Sequence, residues 1–137
     1  MASVLKVDSI TGVTTAGSIS VTGEGNSTTT NLQQGLAKVW VNLDGVGTFN
    51  EAGDSFNVST LADNGTGNYS INFANNMSNS LYCFNFGAYT SDNNSTNLAG
   101  FNSQAPSTSV LRVQAVKSGN VADDPDQACA SINGDLA

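Results

Sequence analysis

The chain has 137 residues and a mass of 14.0 kDa, which suits one compact domain with its appendages and not two domains. Charged residues make up 11% against a usual value of about 25%, and the formal net charge is −7. Only Lys6, Lys38, Arg112 and Lys117 are basic, and they are scattered, so the chain lacks the clustered cations that nucleic acid or an anionic membrane surface would require. Asn, Ser, Thr and Gly must therefore cover the surface. Such residues compete with helical backbone hydrogen bonds and favour β-structure and turns.

The first segment, residues 1–31, has Val4, Leu5, Val7, Ile10, Val13, Ile19 and Val21 as its only large apolar residues. Period-two alternation in Ser18-Ile19-Ser20-Val21-Thr22 predicts a short strand. Gly12, Gly17, Gly23 and Gly25 divide the rest into brief extended pieces. Such an arm cannot bury a core alone, so it is expected to order against copies of itself or a docking protein. The N-terminus, Met1-Ala2-Ser3-Val4-Leu5-Lys6-Val7-Asp8, has no apolar signal-peptide region, and synthesis in the cytoplasm is expected. No run approaches the 18 apolar residues of a membrane span, so no membrane insertion is expected.

The segment Asn31 to Lys38 reads as a short helix or hinge, with Thr30 or Asn31 as cap and Leu32 and Leu36 four apart. Gly35 weakens it, and an irregular linker is the alternative. The chain thus divides into an arm, 1–38, and a head, 39–137.

The head reads as six or seven short strands. Val39, Val41 and Leu43 share one face of the first. Asp44-Gly45-Val46-Gly47 is a turn, and Asp54 to Leu61 predicts a strand with alternating Phe56 and Val58. Asp63-Asn64-Gly65-Thr66-Gly67-Asn68 is a hairpin signal, because these residues tolerate the positive φ of tight turns. Asn68 to Phe73 returns with Tyr69, Ile71 and Phe73 on one face. After a polar loop, Ala74 to Ser80, comes an aromatic strand, Leu81 to Tyr89. Tyr82, Phe84, Phe86 and Ala88 share one face, and Tyr89 points away. These rings serve either inter-sheet packing or a ligand platform. A long Ser- and Asn-rich loop, Thr90 to Ser109, precedes a strand in which Leu111, Val113 and Ala115 alternate with Arg112 and Gln114. An acidic turn, Asp123-Asp124-Pro125-Asp126, leads to a closing strand, Ala128 to Ile132. The expected fold is an all-β, jelly-roll-like β-sandwich head behind an extended β arm.

Chemistry is sparse. The chain has no histidine, which removes the commonest general base and the Ser–His and Cys–His nucleophile pairs. Glu24 and Glu51, its only glutamates, sit among turn residues and offer no carboxylate pair. Asp123, Asp124 and Asp126 have hard oxygens suited to Ca²⁺ but no recognised loop pattern. Cys83 and Cys129 read as free, buried apolar residues, or as a disulfide formed after release into an oxidising medium. Asn-X-Ser/Thr triplets such as Asn57-Val58-Ser59 arise by chance in so Asn-rich a chain. No catalytic, cofactor or metal residue is assigned, and no enzyme activity is expected.

Several segments resemble small tail-fibre-like virion proteins of tailed bacteriophages, particularly those of marine bacteria. They are Ala2 to Ile10, Ser18 to Gly25, Asn31 to Gly45, Asp54 to Ser59 with Asp63 to Tyr69, and the ending Asn133-Gly134-Asp135-Leu136-Ala137. The resemblance implies a virion structural protein, a homotrimer with an N-terminal attachment part and a β-sandwich head. Its expected partners are other tail, baseplate or capsid subunits and a host surface glycan or outer-membrane protein. Loops 74–80 and 90–109 are the expected host contacts, or else plain solvated connections. The alternative role is a capsid decoration or cement protein, or a head fibre, that stabilises the phage head.

Overall fold

A computed structural model describes residues 4–12, 19–23, 29–46, 50–91, 98–101 and 105–137. The chain divides into two compact units, Met1–Leu36 and Ala37–Ala137. The sequence boundary after residue 38 falls two residues inside the first strand of the second unit.

In the first unit, residues 4–12 have no regular structure, and Val4, Leu5, Val7 and Ile10 are exposed. Strand β1 (Ser20–Thr22) pairs antiparallel with β2 (Thr29–Asn31), a partner that period-two reading of the polar Thr-rich segment did not reveal. One helical turn follows, α1 (Leu32–Gly35), directly after Asn31. The Leu32 N–H donates to the Ile19 carbonyl at 2.8 Å, satisfying one of the amides a helix start leaves open.

The second unit is a β-sandwich. Its strands are β3 (Ala37–Asp44), β4 (Asn50–Phe56), β5 (Val58–Asp63), β6 (Asn68–Phe73), β7 (Cys83–Tyr89), β8 (Leu98–Phe101), β9 (Val110–Lys117), β10 (Val121–Ala122) and β11 (Gln127–Asn133). One sheet runs β4-β3-β11-β7. The other runs β10-β9-β6-β5 with β8 also on β9, and every pairing is antiparallel. First and last strands of the unit therefore lie side by side, Val41 opposite Ala130. The Ala115 N–H donates to Gly67 and its carbonyl accepts from Asp123, so β10 takes over the edge of β9 that β6 leaves, and β8 lies along the other.

Alternation places the core as the sequence pattern requires. Val39, Val41 and Leu43 from β3 and Ala128, Ala130 and Ile132 from β11 face Tyr69, Ile71 and Phe73 from β6 and Leu111, Val113 and Ala115 from β9. Tyr82, Phe84, Phe86 and Ala88 pack against this core, so the aromatic strand serves inter-sheet packing. Phe73 and Tyr82 meet edge to face, centroids 6.0 Å apart.

Two expectations are corrected. The segment Asp54 to Leu61 is two strands in different sheets. Asn57 between them adopts φ 59°, a left-handed conformation that Asn tolerates better than most residues. Phe56 then faces outward and Val58 inward. The segment 90–109 is no plain loop either, since β8 within it pairs with β9.

Candidate functional site

The outer faces of the two sheets differ in chemistry. On the β9-β6-β5 side, polar side chains bond to one another. Arg112 donates to Ser70 Oγ at 3.3 Å and to Asn64 Oδ1 at 2.9 Å, and Asn64 Nδ2 donates to Ser70 Oγ at 2.8 Å. Asn72 Nδ2 donates to Thr60 Oγ1 at 3.1 Å.

The outer face of β4-β3-β11-β7 carries exposed aromatic side chains around small and neutral polar ones. Register fixes its rows. Phe56 lies opposite Trp40, Trp40 opposite Ser131, and Ser131 opposite Asn85. Two residues along, Asn42 lies opposite Cys129 and Cys129 opposite Gly87. Gln127 faces Tyr89 beyond them. Trp40 is 38% exposed, Phe56 51% and Tyr89 60%. Lys38, which is buried, and Asp44 stand at opposite ends of β3, and β4 adds the exposed Asp54 two residues from Phe56. Where Gly87 and Cys129 stand side by side, the lack of bulk leaves a shallow depression of about 360 Å³ lined by segments 85–87 and 129–131. The Gln127 amide donates to Asn42 Oδ1 at 3.0 Å beside it. Sequence reasoning missed this face because its aromatics come from three strands far apart in the chain. The isolated Trp40 and the outward Tyr89 were its only linear signals.

The acidic turn is committed elsewhere. Asp124 Oδ1 accepts the Gly67 N–H at 2.6 Å and the Tyr69 hydroxyl at 2.9 Å. Asp123 pairs with Lys117 Nζ at 3.0 Å, and Asp126 Oδ2 accepts the Ser91 N–H. These carboxylates border a small polar recess of about 230 Å³ with Thr90 and Ser91. No cluster of three metal-ligating side chains occurs among the described residues. Burial and the Asp124 hydrogen bond raise the Tyr69 phenol far above its ordinary pKa, and burial pushes Tyr82 up to about 12. Tyr82 donates to the Ser107 carbonyl at 3.1 Å.

The remaining candidates are placed as follows. Cys83 and Cys129 are both exposed, which corrects the buried reading. Cys83 is opposite Asn133 and Cys129 opposite Gly87, a stagger of four residues that puts their Cα atoms about 14 Å apart. An intrachain disulfide needs less than about 7 Å, so they do not pair. Glu51 lies in β4 opposite Leu43, and Glu24 lies outside the described residues. Loop 74–80 is exposed except Met77, which is buried and bridges to Leu136. Much of loop 90–109 lies outside the described residues. The Asn57 side chain of the Asn57-Val58-Ser59 triplet is hydrogen-bonded within the protein, to the carbonyls of Lys38 and Asn75. No helix among the described residues is long and apolar enough to cross a membrane. Comparison with protein-family models, curated proteins and solved structures returns no match.

Proposed function

We propose that this protein is a non-enzymatic bacteriophage virion component, a short trimeric tail-fibre-like protein that takes part in host adsorption. The observation that carries the assembly part is the arm. Val4 and Leu5 are 74% and 79% exposed, and Val7 and Ile10 more than half exposed, on a segment without regular structure. Covering each such side chain is worth roughly 1.5–3 kcal/mol. Ordering the backbone costs about 1–2 kcal/mol per residue, which a single arm has no core to offset. Three arms about a common axis bury these residues against each other. The virion assignment itself rests on the sequence resemblance. The low charge, the absence of histidine and the structural use of Asp123, Asp124 and Asp126 favour a structural role over a catalytic one.

Copy number in purified virions tests the role. A fibre is present at a few to some tens of copies against the major capsid protein by quantitative mass spectrometry. Hundreds of copies would move the assignment to capsid decoration, and absence from virions would end it.

A further inference from the structure

We propose that Asn64–Gly65, in the turn between β5 and β6, is a latent self-modification site, and that Arg112 and Ser70 hold it in its amide form. The inference goes beyond the virion reading and does not depend on it.

Asn is a thermolabile residue. It is most so before Gly, which has no Cβ to shield its backbone nitrogen and turns freely. The Gly65 nitrogen, on losing its proton to solvent, attacks Cγ of Asn64. A C–N bond forms, the Cγ–Nδ2 bond breaks, and Nδ2 takes up a proton and leaves as ammonia. Water then opens the five-membered succinimide at either carbonyl. One opening leaves an aspartate at position 64, and the other an isoaspartate with the main chain rerouted through the side chain. The Asn-Gly step occurs twice, at Asn64–Gly65 and at Asn133–Gly134. The first lies in an exposed turn, where Gly65 has φ +113° and a Cβ would meet nothing within 4 Å.

The folded chain ties the reacting amide at both of its polar atoms. Arg112 Nη2 donates to Asn64 Oδ1 at 2.9 Å. Asn64 Nδ2 donates to Ser70 Oγ at 2.8 Å and to the Ala62 carbonyl at 3.3 Å. A guanidinium only donates, so Oδ1 is the atom that must face it. Arg112 Nε also donates to Ser70 Oγ at 3.3 Å, so the two anchors brace each other. Ring closure draws Cγ onto the Gly65 nitrogen and expels Nδ2. Bonds made by the resting amide are therefore weakened or lost on the way to the succinimide, and they raise its barrier. The nucleophile is restrained as well. The Gly65 N–H donates to Asp63 Oδ1 at 2.8 Å, and that carboxylate opposes the negative charge the nitrogen must carry. The turn thus supplies the labile step, and β6 and β9 supply the restraint.

The full-length protein is aged at mildly alkaline pH, folded and in urea. Peptide mass spectrometry follows the exchange of the amide for a carboxylate, and the isoaspartate isomer, at positions 64 and 133. Position 64 is expected to convert at least about tenfold more slowly in the folded chain than in urea. Arg112→Met should speed conversion at position 64 of the folded protein about tenfold, the rate equivalent of one hydrogen bond to a charged group. Ser70→Ala should act in the same direction. Asn133 is the internal reference, since it lies in the other sheet with its backbone paired to Ala37 and Cys83. A variant that merely loosens the fold speeds both positions, whereas loss of the clamp speeds position 64 alone. Conversion at position 64 that is unchanged or slower in Arg112→Met overturns the proposal, the slower result making Arg112 an activator of the amide. Equal acceleration at both positions, or an amide at position 64 that persists in urea, overturns it too.

Discussion

The carboxamide oxygen of Asn57 accepts the backbone N–H of Asn75 at 2.7 Å, where the chain leaves one sheet for the other. Its Nδ2 donates to the carbonyls of Lys38 and Asn75, both at 3.1 Å, and its own carbonyl accepts from Ala74 at 3.0 Å. One residue thus joins the end of β4, the start of β3 and the loop after β6. Asn57→Ala removes these side-chain bonds and leaves an alanine at φ 59°. At about 1 kcal/mol for each of the three side-chain hydrogen bonds plus about 1–2 kcal/mol of left-handed strain, the expected loss is about 4–5 kcal/mol in urea unfolding. Asn57→Gly relieves the strain and should lose less.

This corner also shows what a linear pattern conceals. Phe56 and Val58 fit period two, so the sequence reads as one strand with both residues on one face. The left-handed residue between them reverses the second. Where no such residue intervenes, as in β3, β6, β7 and β9, alternation alone grouped on one face the side chains that the fold turns inward. The exposed aromatics of the four-stranded sheet were hidden for another reason. Trp40, Phe56 and Tyr89 come onto one sheet face only through strand register, which depends on non-local pairing. The β1–β2 hairpin was hidden because Thr29, Thr30 and Asn31 include no apolar residue.

Gly67 combines φ +66° with crowding. A Cβ there would lie 2.4 Å from the Ala115 carbonyl oxygen. Gly67→Ala is expected to destabilise by about 1–3 kcal/mol or more and to lower the melting temperature. Gly87→Ala, with open space and no positive φ, should leave stability unchanged or raise it by about 0.4–1 kcal/mol. Thermal unfolding of the two variants side by side checks the contrast.

Stability should fall at alkaline pH. Tyr82 is pushed up to about 12 and Tyr69 is raised further, against about 10 in the unfolded chain. The folded state therefore holds these protons more tightly. Their contribution is fully present below pH 10 and is lost as pH rises through 12 and above. Urea midpoints measured between pH 9 and pH 12 should decline, and the decline should be shallower in Tyr82→Phe. A midpoint that stays level across that window contradicts the assignment.

Both thiols should react with a thiol reagent in the native protein without denaturant, since Cys83 and Cys129 are exposed. Oxidation in dilute solution should produce no intrachain disulfide, as mass spectrometry after alkylation would show. A Cys83–Cys129 cross-link formed under native conditions would contradict the register of β7 on β11.

The assembly claim turns on the mass of the full-length protein in solution, measured by sedimentation equilibrium alongside a Val7→Asp, Ile10→Asp double variant. Both side chains are exposed in the single chain, so the substitutions should not disturb its fold. The wild type is expected at three times the 14.0 kDa chain mass, and the variant at one. A wild-type protein that sediments as a folded 14.0 kDa monomer would contradict the account.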